Sequence, residues 1–426
     1  MVVVTVAGSQ VERDVDRPSV VRERLEAFAG EVFARAMNRP VQVRNGGLYL
    51  RGLIEDGARK SLEPLVSRLS GAAEYQSMQQ FLADSPWDSA LVVKAVAERV
   101  APEIGVEAWV VDDTGFPKDG KDSPGVKRQY SGTFGKIANC QIGVSLHAVG
   151  ARGTVPLGWA LYLSEEWCTD TGRRRKAKIP DEVAFKTKYE LAAELVERAW
   201  RWAVPQAPVL GDHDYGRRGG LRERLHHAGC EYVLSVGPSR KVFEHGTTFE
   251  TKTKRGAVRK RPRPDRKPEP LGELIARLGQ GNAQTVSFRD GPDGEPVTST
   301  FIFTRVHVAR ACGEDHRDPT DPESETDAEL PPREEWLIAE WPAGEENPSG
   351  YWLSNLPPDT TPERLARLAR LRWKIELDYK QLKGELGLDH YEGRSWLGWY
   401  HHTALVTAAH GFLTLERLNP FRQRPA

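Results

Sequence analysis

Residues 108–113 read AWVVDD, a short apolar run that ends in two acids. An apolar run of this length between turn-forming stretches predicts a buried strand. A Gly-, Lys- and Ser-rich loop follows at 114–136. Residues 139–149 and 154–163 predict two further strands joined by a turn at 150–153. Residues 182–203 predict a helix, 207–210 a short apolar strand running into Gly211-Asp212, 219–228 a helix and 231–236 a strand. Three strands, a helix, a strand, a helix and a strand define a mixed α/β sheet. The first and fourth strands each end in an acid. Ligands gather outside the carboxyl ends of strands in open α/β sheets. If those two strands are neighbours, Asp112 or Asp113 would lie beside Asp212.

The flanks read differently. Residues 21–36, 75–82 and 88–100 have helical periodicity, and 1–104 is expected to form a helical domain, either a binder of DNA ends or a packing module with no DNA contact. It shows no clear helix-turn-helix signature. Residues 105–238 are the first part of the core. From 239 to 348, β-like runs at 285–288, 299–306 and 335–340 alternate with charged loops, which predicts a β-rich insertion. Residues 349–426 return to the core with a strand at 351–355, a long helix over 361–385 and a helical region at 398–418. Thr361 is the expected N-cap of the long helix, with Pro362 at its first position.

The segment 371–394, LRWKIELDYKQLKGELGLDHYEGR, carries Arg372, Glu376 and Lys383. At about 100° per residue these three fall within roughly 40° of arc. Leu365, Leu368, Ile375, Tyr379, Leu382 and Leu386 form the adjoining apolar stripe. Two cations flanking one carboxylate suit a metal-binding glutamate beside DNA phosphates. A salt-bridged amphipathic helix has the same pattern.

Composition narrows the classes. The 426 residues allow two to three domains and a sizeable core. No signal peptide and no apolar run of membrane-spanning length is read, so a bacterial cytoplasmic, nucleoid-associated location is expected. Cys140, Cys168, Cys230 and Cys312 are scattered, which fits buried thiols and argues against zinc. The formal net charge is zero, but 252–267 is strongly basic with the single acid Asp265, and 313–335 is mostly acidic. The excess of Arg over Lys, with much Ala and Gly, points to a GC-rich coding sequence. The loop after the first strand holds Lys118, Lys121, Lys127, Arg128 and Lys136 with Tyr130 and Phe134 interleaved, a pattern suited to phosphate contacts.

Three acids, at two strand ends and on one helix, suit phosphodiester hydrolysis and transfer. Two divalent ions held by carboxylates can activate the attacking oxygen and stabilise the leaving one. Three carboxylates brought close repel one another without metal, so metal dependence is expected.

Asp112-Asp113-Thr114, the run Gly211-Asp212-His213-Asp214-Tyr215-Gly216, and Arg372-Trp373-Lys374-Ile375-Glu376 with Lys383 resemble a DDE transposase with a ribonuclease-H-like core. The chain resembles bacterial insertion-sequence transposases of the 701 type, related to a larger group with a β-rich insertion before the glutamate. The resemblance runs from about 49 to 413. Its most specific pieces are 112–144, 185–188 and 384–402. The larger group's signature is Tyr, two residues, Arg, three residues, Glu, six residues, Lys. Arg372, Glu376 and Lys383 keep that spacing, and Ala369 replaces the tyrosine.

The resemblance implies catalytic roles for Asp112, Asp113, Asp212 and Glu376, with Asp112, Asp212 and Glu376 as metal ligands. Only one of Asp112 and Asp113 can face the site, because side chains alternate along a strand. An Asp-x-Thr likeness favours Asp112. The resemblance also implies DNA contacts from Arg372 and Lys383 and a base-stacking role for Trp352, beside the loop cations Lys118, Lys127 and Arg128. Two Mg2+ ions, with Mn2+ as substitute, double-stranded DNA with terminal inverted repeats, a DNA target and a homodimer at synapsis complete the expectation. Two alternatives stand beside it. One is a catalytically inactive or repurposed DNA-binding relative. The other, a carboxylate-pair glycosidase, leaves Arg372, Lys383 and the basic loop unexplained.

Overall fold

The computed structural model describes residues 18–132, 135–217, 219–252, 256, 258–291, 293–309 and 331–419. Cys312 and most of the acidic run lie outside them, as do 253–255 and 257 of the basic run. The chain folds into two compact units. One comprises residues up to Glu107, Asp113–Gln206 and 374 onward, and the other Ala108–Asp112 and Ala207–Trp373.

The first unit opens with helices α1 (Pro18–Ala34), α2 (Pro40–Ile54), α3 (Leu62–Arg68), α4 (Tyr75–Ala83) and α5 (Ser89–Ile104). Asp88 caps α5 by accepting the Ala90 amide at 2.8 Å. Gly105 ends it at φ 64°, a left-handed backbone that glycine adopts without steric cost. Strand β1 (Val106–Pro117) is longer than the predicted run, and its residues 108–112 are all buried. Strand β3 (Lys136–Gly150) pairs antiparallel with β2 (Lys127–Ser131) on one side and β4 (Thr154–Leu161) on the other. Part of the predicted loop 114–136 is therefore strand. Its polar composition hid a ladder that β3 supplies from outside the segment.

Two short helices, α6 (Glu165–Thr169) and α7 (Thr171–Ala177), precede α8 (Lys188–Ala199). Helix α8 starts six residues later than 182, the predicted start, because Thr187 and Glu190 form a capping box. The Thr187 amide donates to Glu190 Oε2 at 2.7 Å.

The second unit contains β5 (Val209–Gly211), α9 (His213–Gly216), α10 (Gly219–His227), β6 (Tyr232–Ser235), β7 (Lys241–Glu244), β8 (Phe249–Lys252), β9 (Val258–Pro264), β10 (Glu269–Pro270), α11 (Leu271–Leu278), β11 (Gln284–Asp290), β12 (Pro296–Val308), β13 (Glu334–Glu340), β14 (Gly350–Ser354) and α12 (Pro362–Arg370). Its strand order is β10-β7-β12-β13-β14-β6-β5-β1, with β11 on β12 and β8–β9 as a separate pair. The pairs β1/β5 and β5/β6 are parallel, and β14/β6 and β13/β14 are antiparallel. The α/β expectation holds, with a mixed sheet. Helix α11, which the sequence reading did not anticipate, buries Leu271, Leu274 and Ile275 against Val242, Ile302, Val306 and Leu337. Burying each such side chain contributes about 1.5–3 kcal/mol.

The expected single helix over 361–385 is two. Helix α12 ends at Arg370, Leu371 and Arg372 form a turn, and α13 (Trp373–Gly384) follows. No Gly or Pro marks the break. The Leu371 amide bonds Leu368 O at 3.3 Å in a tighter turn, Leu371 is buried, and Arg372 is held by an ion pair. Tertiary contacts override the helical period here. Helix α14 (Trp396–Leu418) is buried along most of its length and packs on α5, α2 and β4.

Two buried polar arrangements give stability predictions. In the second unit, Arg222 Nη1 on α10 meets Glu335 Oε1 on β13 at 2.9 Å, with both side chains about 96–97% buried (3% and 4% exposed). Burial opposes the guanidinium charge, but the facing carboxylate overrides it and holds Arg222 protonated. Glu335→Leu should cost about 3–5 kcal/mol, and Arg222→Met with Glu335→Leu much less, because the pair repays its own desolvation poorly. Urea unfolding of both variants checks this.

In the first unit, His402 Nε2 donates to Gly387 O at 3.0 Å, and its Nδ1 accepts from Tyr49 Oη at 3.0 Å. Burial pushes the imidazole down from its ordinary 6.5 to about 4, so it is neutral when folded. Between those values the unfolded chain binds the extra proton, so stability falls on acidification by up to about 1.4 kcal/mol per pH unit from this group. Urea unfolding from pH 7 to 4 should show a shallower loss for His402→Gln than for the wild type.

Candidate active site

In the second unit, β1 and β5 run parallel with Trp109 beside Val209 and Val110 beside Leu210. Continuing that register two residues places Asp112 beside Asp212. Strands β5 and β6 are parallel with Gly211 beside Leu234, so Asp212 falls beside Ser235, and Ser235 is itself paired with Trp352 on β14. Asp112, Asp212, Ser235 and Trp352 thus form one row across four strands. Residues in a row project to the same face, and neighbouring strands are about 4.8 Å apart. Trp352 therefore stands about 10 Å from Asp212 along the backbone. Leu353, the next residue, enters the core on the opposite face.

Local sequence explains this end of the sheet. A Cβ on Gly211 would lie 2.9 Å from Leu234 Cδ2 and 3.1 Å from Val111 Cγ2, so the opposite face has no room for a side chain there. A Cβ on Gly216 would lie 1.9 Å from Ser235 O, so the turn after Asp212 closes onto β6 only with glycine. Asp212 is in extended backbone and caps α9, its Oδ1 accepting the amides of Asp214 at 2.9 Å and Tyr215 at 3.3 Å. Asp214, the other acid of this turn, is exposed with Arg217 at 3.8 Å.

Asp112 is buried, and its Oδ2 accepts from Arg372 Nη1 at 2.8 Å. The guanidinium comes from the turn that interrupts the predicted long helix. It offsets one of two carboxylates that would otherwise repel each other across adjacent strands. Trp352 is half-buried, with its ring against the Gly350 backbone: a Cβ on Gly350 would meet Cη2 at 2.4 Å.

The first unit holds the other candidates. Asp113 points away from the face of Asp112 and pairs with Lys188 Nζ at 2.9 Å. Glu376 is on the exposed side of α13, and Ile375, Asp378 and Leu382 are on its buried side. Lys383 Nζ donates to Gly115 O at 2.6 Å and lies 5.7 Å from the Phe116 ring centre. Burial lowers its pKa, against the pull of Asp389. Lys118 donates to Tyr391 O, and burial pushes its pKa down to about 8. Lys127 pairs with Glu166 at 2.8 Å, and Arg128 is exposed on β2. Asp112, Asp212, Arg372 and Trp352 are thus gathered in one unit, while Glu376 and Lys383 share one helix of the other. Among the described residues, no group of three or more His, Cys, Asp or Glu side chains is spaced to hold a metal ion.

Sequence reasoning missed Asp378. Its carboxylate is buried among His147 on β3, Thr154 at 2.5 Å and His410 Nε2 of α14 at 2.7 Å. Burial favours the neutral acid, but His410 and the bond from His147 override it and hold the carboxyl well below its usual range. Asp378 lies about 200° around α13 from Glu376. Anchoring the inner face thus fixes which side Glu376 presents. The legible signal was a charge in the middle of the Leu368, Ile375, Leu382 stripe.

Asp112 and Asp212 thus stand at the ends of adjacent parallel strands, with Trp352 in the same row and Arg372 bonded to Asp112 from the turn before α13. Residues 32–294 match the model of the DDE superfamily endonuclease family, and residues 177–412 match that of the transposase DDE domain. The chain belongs to the DDE superfamily of endonucleases and transposases. It is similar to a probable transposase for insertion sequence element IS701 from Microchaete diplosiphon, 29% identical over 188 residues, which is 43% of this chain and 46% of that protein. The chain therefore spans about half the length of that relative.

Asp378→Ala should cost about 3–5 kcal/mol by leaving two buried imidazoles and a hydroxyl without their acceptor. Asp378→Asn should cost less, since an amide oxygen can still accept. Chemical denaturation of the two variants tests the ranking, and equal stability to wild type in both would remove the anchoring role.

Proposed function

We propose that the chain is a DNA transposase that cuts phosphodiester bonds at the ends of an insertion sequence and joins the 3′ ends to target DNA. The observation that carries this reading is the row of Asp112, Asp212 and Trp352 with Arg372 beside it, in a chain of the DDE family. The core is read as ribonuclease-H-like, split as 105–238 and 349–426 around a β-rich insertion at 239–348. The segment 1–104 is read as a helical domain binding DNA ends. No helix of the described residues is long and apolar enough to cross a membrane. A bacterial, nucleoid-associated protein acting as a homodimer on two terminal inverted repeats fits this reading.

The donor set suits a hard divalent cation, because carboxylate oxygens are its preferred ligands and two carboxylates stand at adjacent strand ends. Asp112, Asp212 and Glu376 would hold Mg2+, as two ions, with Mn2+ as substitute. Bound Mg2+ would lower the pKa of a water or 3′ hydroxyl and stabilise the departing oxygen. Arg372 neutralises Asp112 in the resting protein and can turn part of its five-donor fork to an arriving phosphate. Trp352 offers a ring face for a base displaced at the DNA end, worth about 1–3 kcal/mol by stacking. Lys383 steadies the C-terminal half of β1 through Gly115.

The test is cleavage and strand transfer on DNA carrying the terminal repeats that flank the coding region. Asp212→Asn and Glu376→Ala should each lose about 10³-fold or more, because several kcal/mol of charge stabilisation disappears and each 1.36 kcal/mol is tenfold. Chelator should abolish activity in the wild type, and Mg2+ or Mn2+ should restore it. Full activity of Glu376→Ala, or of wild type in chelator, sinks the reading.

A further inference from the structure

The β2–β3 ribbon carries an exposed apolar pair that the catalytic reading does not use. Tyr130 is 63% exposed and Ile137 60% exposed, and the two are directly opposed in the antiparallel register. One row further along the same face, Arg128 stands opposite Asn139 and is exposed. Cross-strand neighbours on one face touch, so Tyr130 and Ile137 make a single apolar projection beside a guanidinium.

The ribbon is held firmly at its base. Asn139 Nδ2 donates to Lys118 O at 2.5 Å and Gly120 O at 2.9 Å. Gln129 Nε2 donates to Cys140 O at 2.9 Å, and Trp167 Nε1 donates to Val126 O at 2.8 Å. A rigid base with an exposed apolar pair is built to press on something.

Charge says what that is. Residues 118–137 contain five basic side chains and two acids, Asp119 and Asp122. Strand β2 ends its sheet order, and cations on an edge strand discourage pairing with another strand. A two-stranded ribbon fits a DNA groove, and apolar side chains that enter a groove wedge between base steps and unstack them. We propose that Tyr130 and Ile137 form a wedge that enters the base stack of duplex DNA, with Arg128 on the neighbouring phosphate. This inference rests on the DNA reading above.

The test uses the whole chain in chelator, so that nothing is cut, with duplexes carrying the terminal repeat and 2-aminopurine at successive positions. Wild type should raise the fluorescence several-fold at one step. The double variant Tyr130→Ala with Ile137→Ala should lose that rise and bind about tenfold more weakly. Arg128→Ala should bind more weakly with a smaller salt dependence while keeping the rise. The three side chains are exposed, so thermal melts should match wild type. Binding by wild type with no rise at any position overturns the wedge alone, as does a double variant with unchanged rise and affinity. A double variant that responds normally to DNA but changes its sedimentation assigns the pair to self-association and also overturns it. Failure of wild type to bind any of the duplexes would overturn the transposase reading itself.

Discussion

Strand β1 must carry two adjacent carboxylates, and a period of two sends them to opposite faces. The rest of the site follows from that constraint. Asp112 is committed to the face shared by Asp212 and Trp352, and there it meets Arg372. Asp113 is committed to the other face and meets Lys188. Each carboxylate has its own cation, so the strand tolerates adjacent acids at its buried carboxyl end. A one-residue slip of β1 against β5 would exchange the two and place Asp113 in the row of Asp212. The observed register, Trp109 beside Val209 and Val110 beside Leu210, is the one that puts Asp112 in that row.

The strand-end acids are legible as sequence because they are local: an apolar run followed by Asp in both cases. Their juxtaposition is not legible, because pairing between 109–110 and 209–210 is a contact across a hundred residues. Trp352 in the same row depends on two further non-local pairings. Helix periodicity placed Leu365, Ile375 and Leu382 on one apolar stripe, and all three are buried. It failed at Leu371-Arg372, where an ion pair and a buried leucine break a helix that has no breaker in its sequence. It also treated Asp378 as unremarked polar, when a charge on an apolar stripe demands partners. Those partners, His147 and His410, sit in apolar runs of a strand and a helix and have the same unexplained look alone.

The three lysines expected to contact phosphate, Lys118, Lys127 and Lys383, differ in what holds them. In the structure one bonds a backbone carbonyl of 391, one an exposed glutamate and one the carbonyl of Gly115. Lysine has a flexible stem and a point charge, so it serves as a strut as readily as a ligand. Burial makes the choice: an ammonium that has lost much of its water is costly to leave unpaired, and a fixed carbonyl repays some of that cost. Lys127, whose partner Glu166 is well exposed, is the one of the three that exchanges partners at little cost.

Arginine follows the opposite logic at position 372. Its guanidinium is planar, rigid and always charged, so the Nη1 bond to Asp112 sets both the charge and the direction of the fork at the strand end. The turn at Leu371–Arg372 matters for placement, because the break in helical phase sets where the guanidinium leaves the backbone, and from there it reaches Asp112 Oδ2 at 2.8 Å.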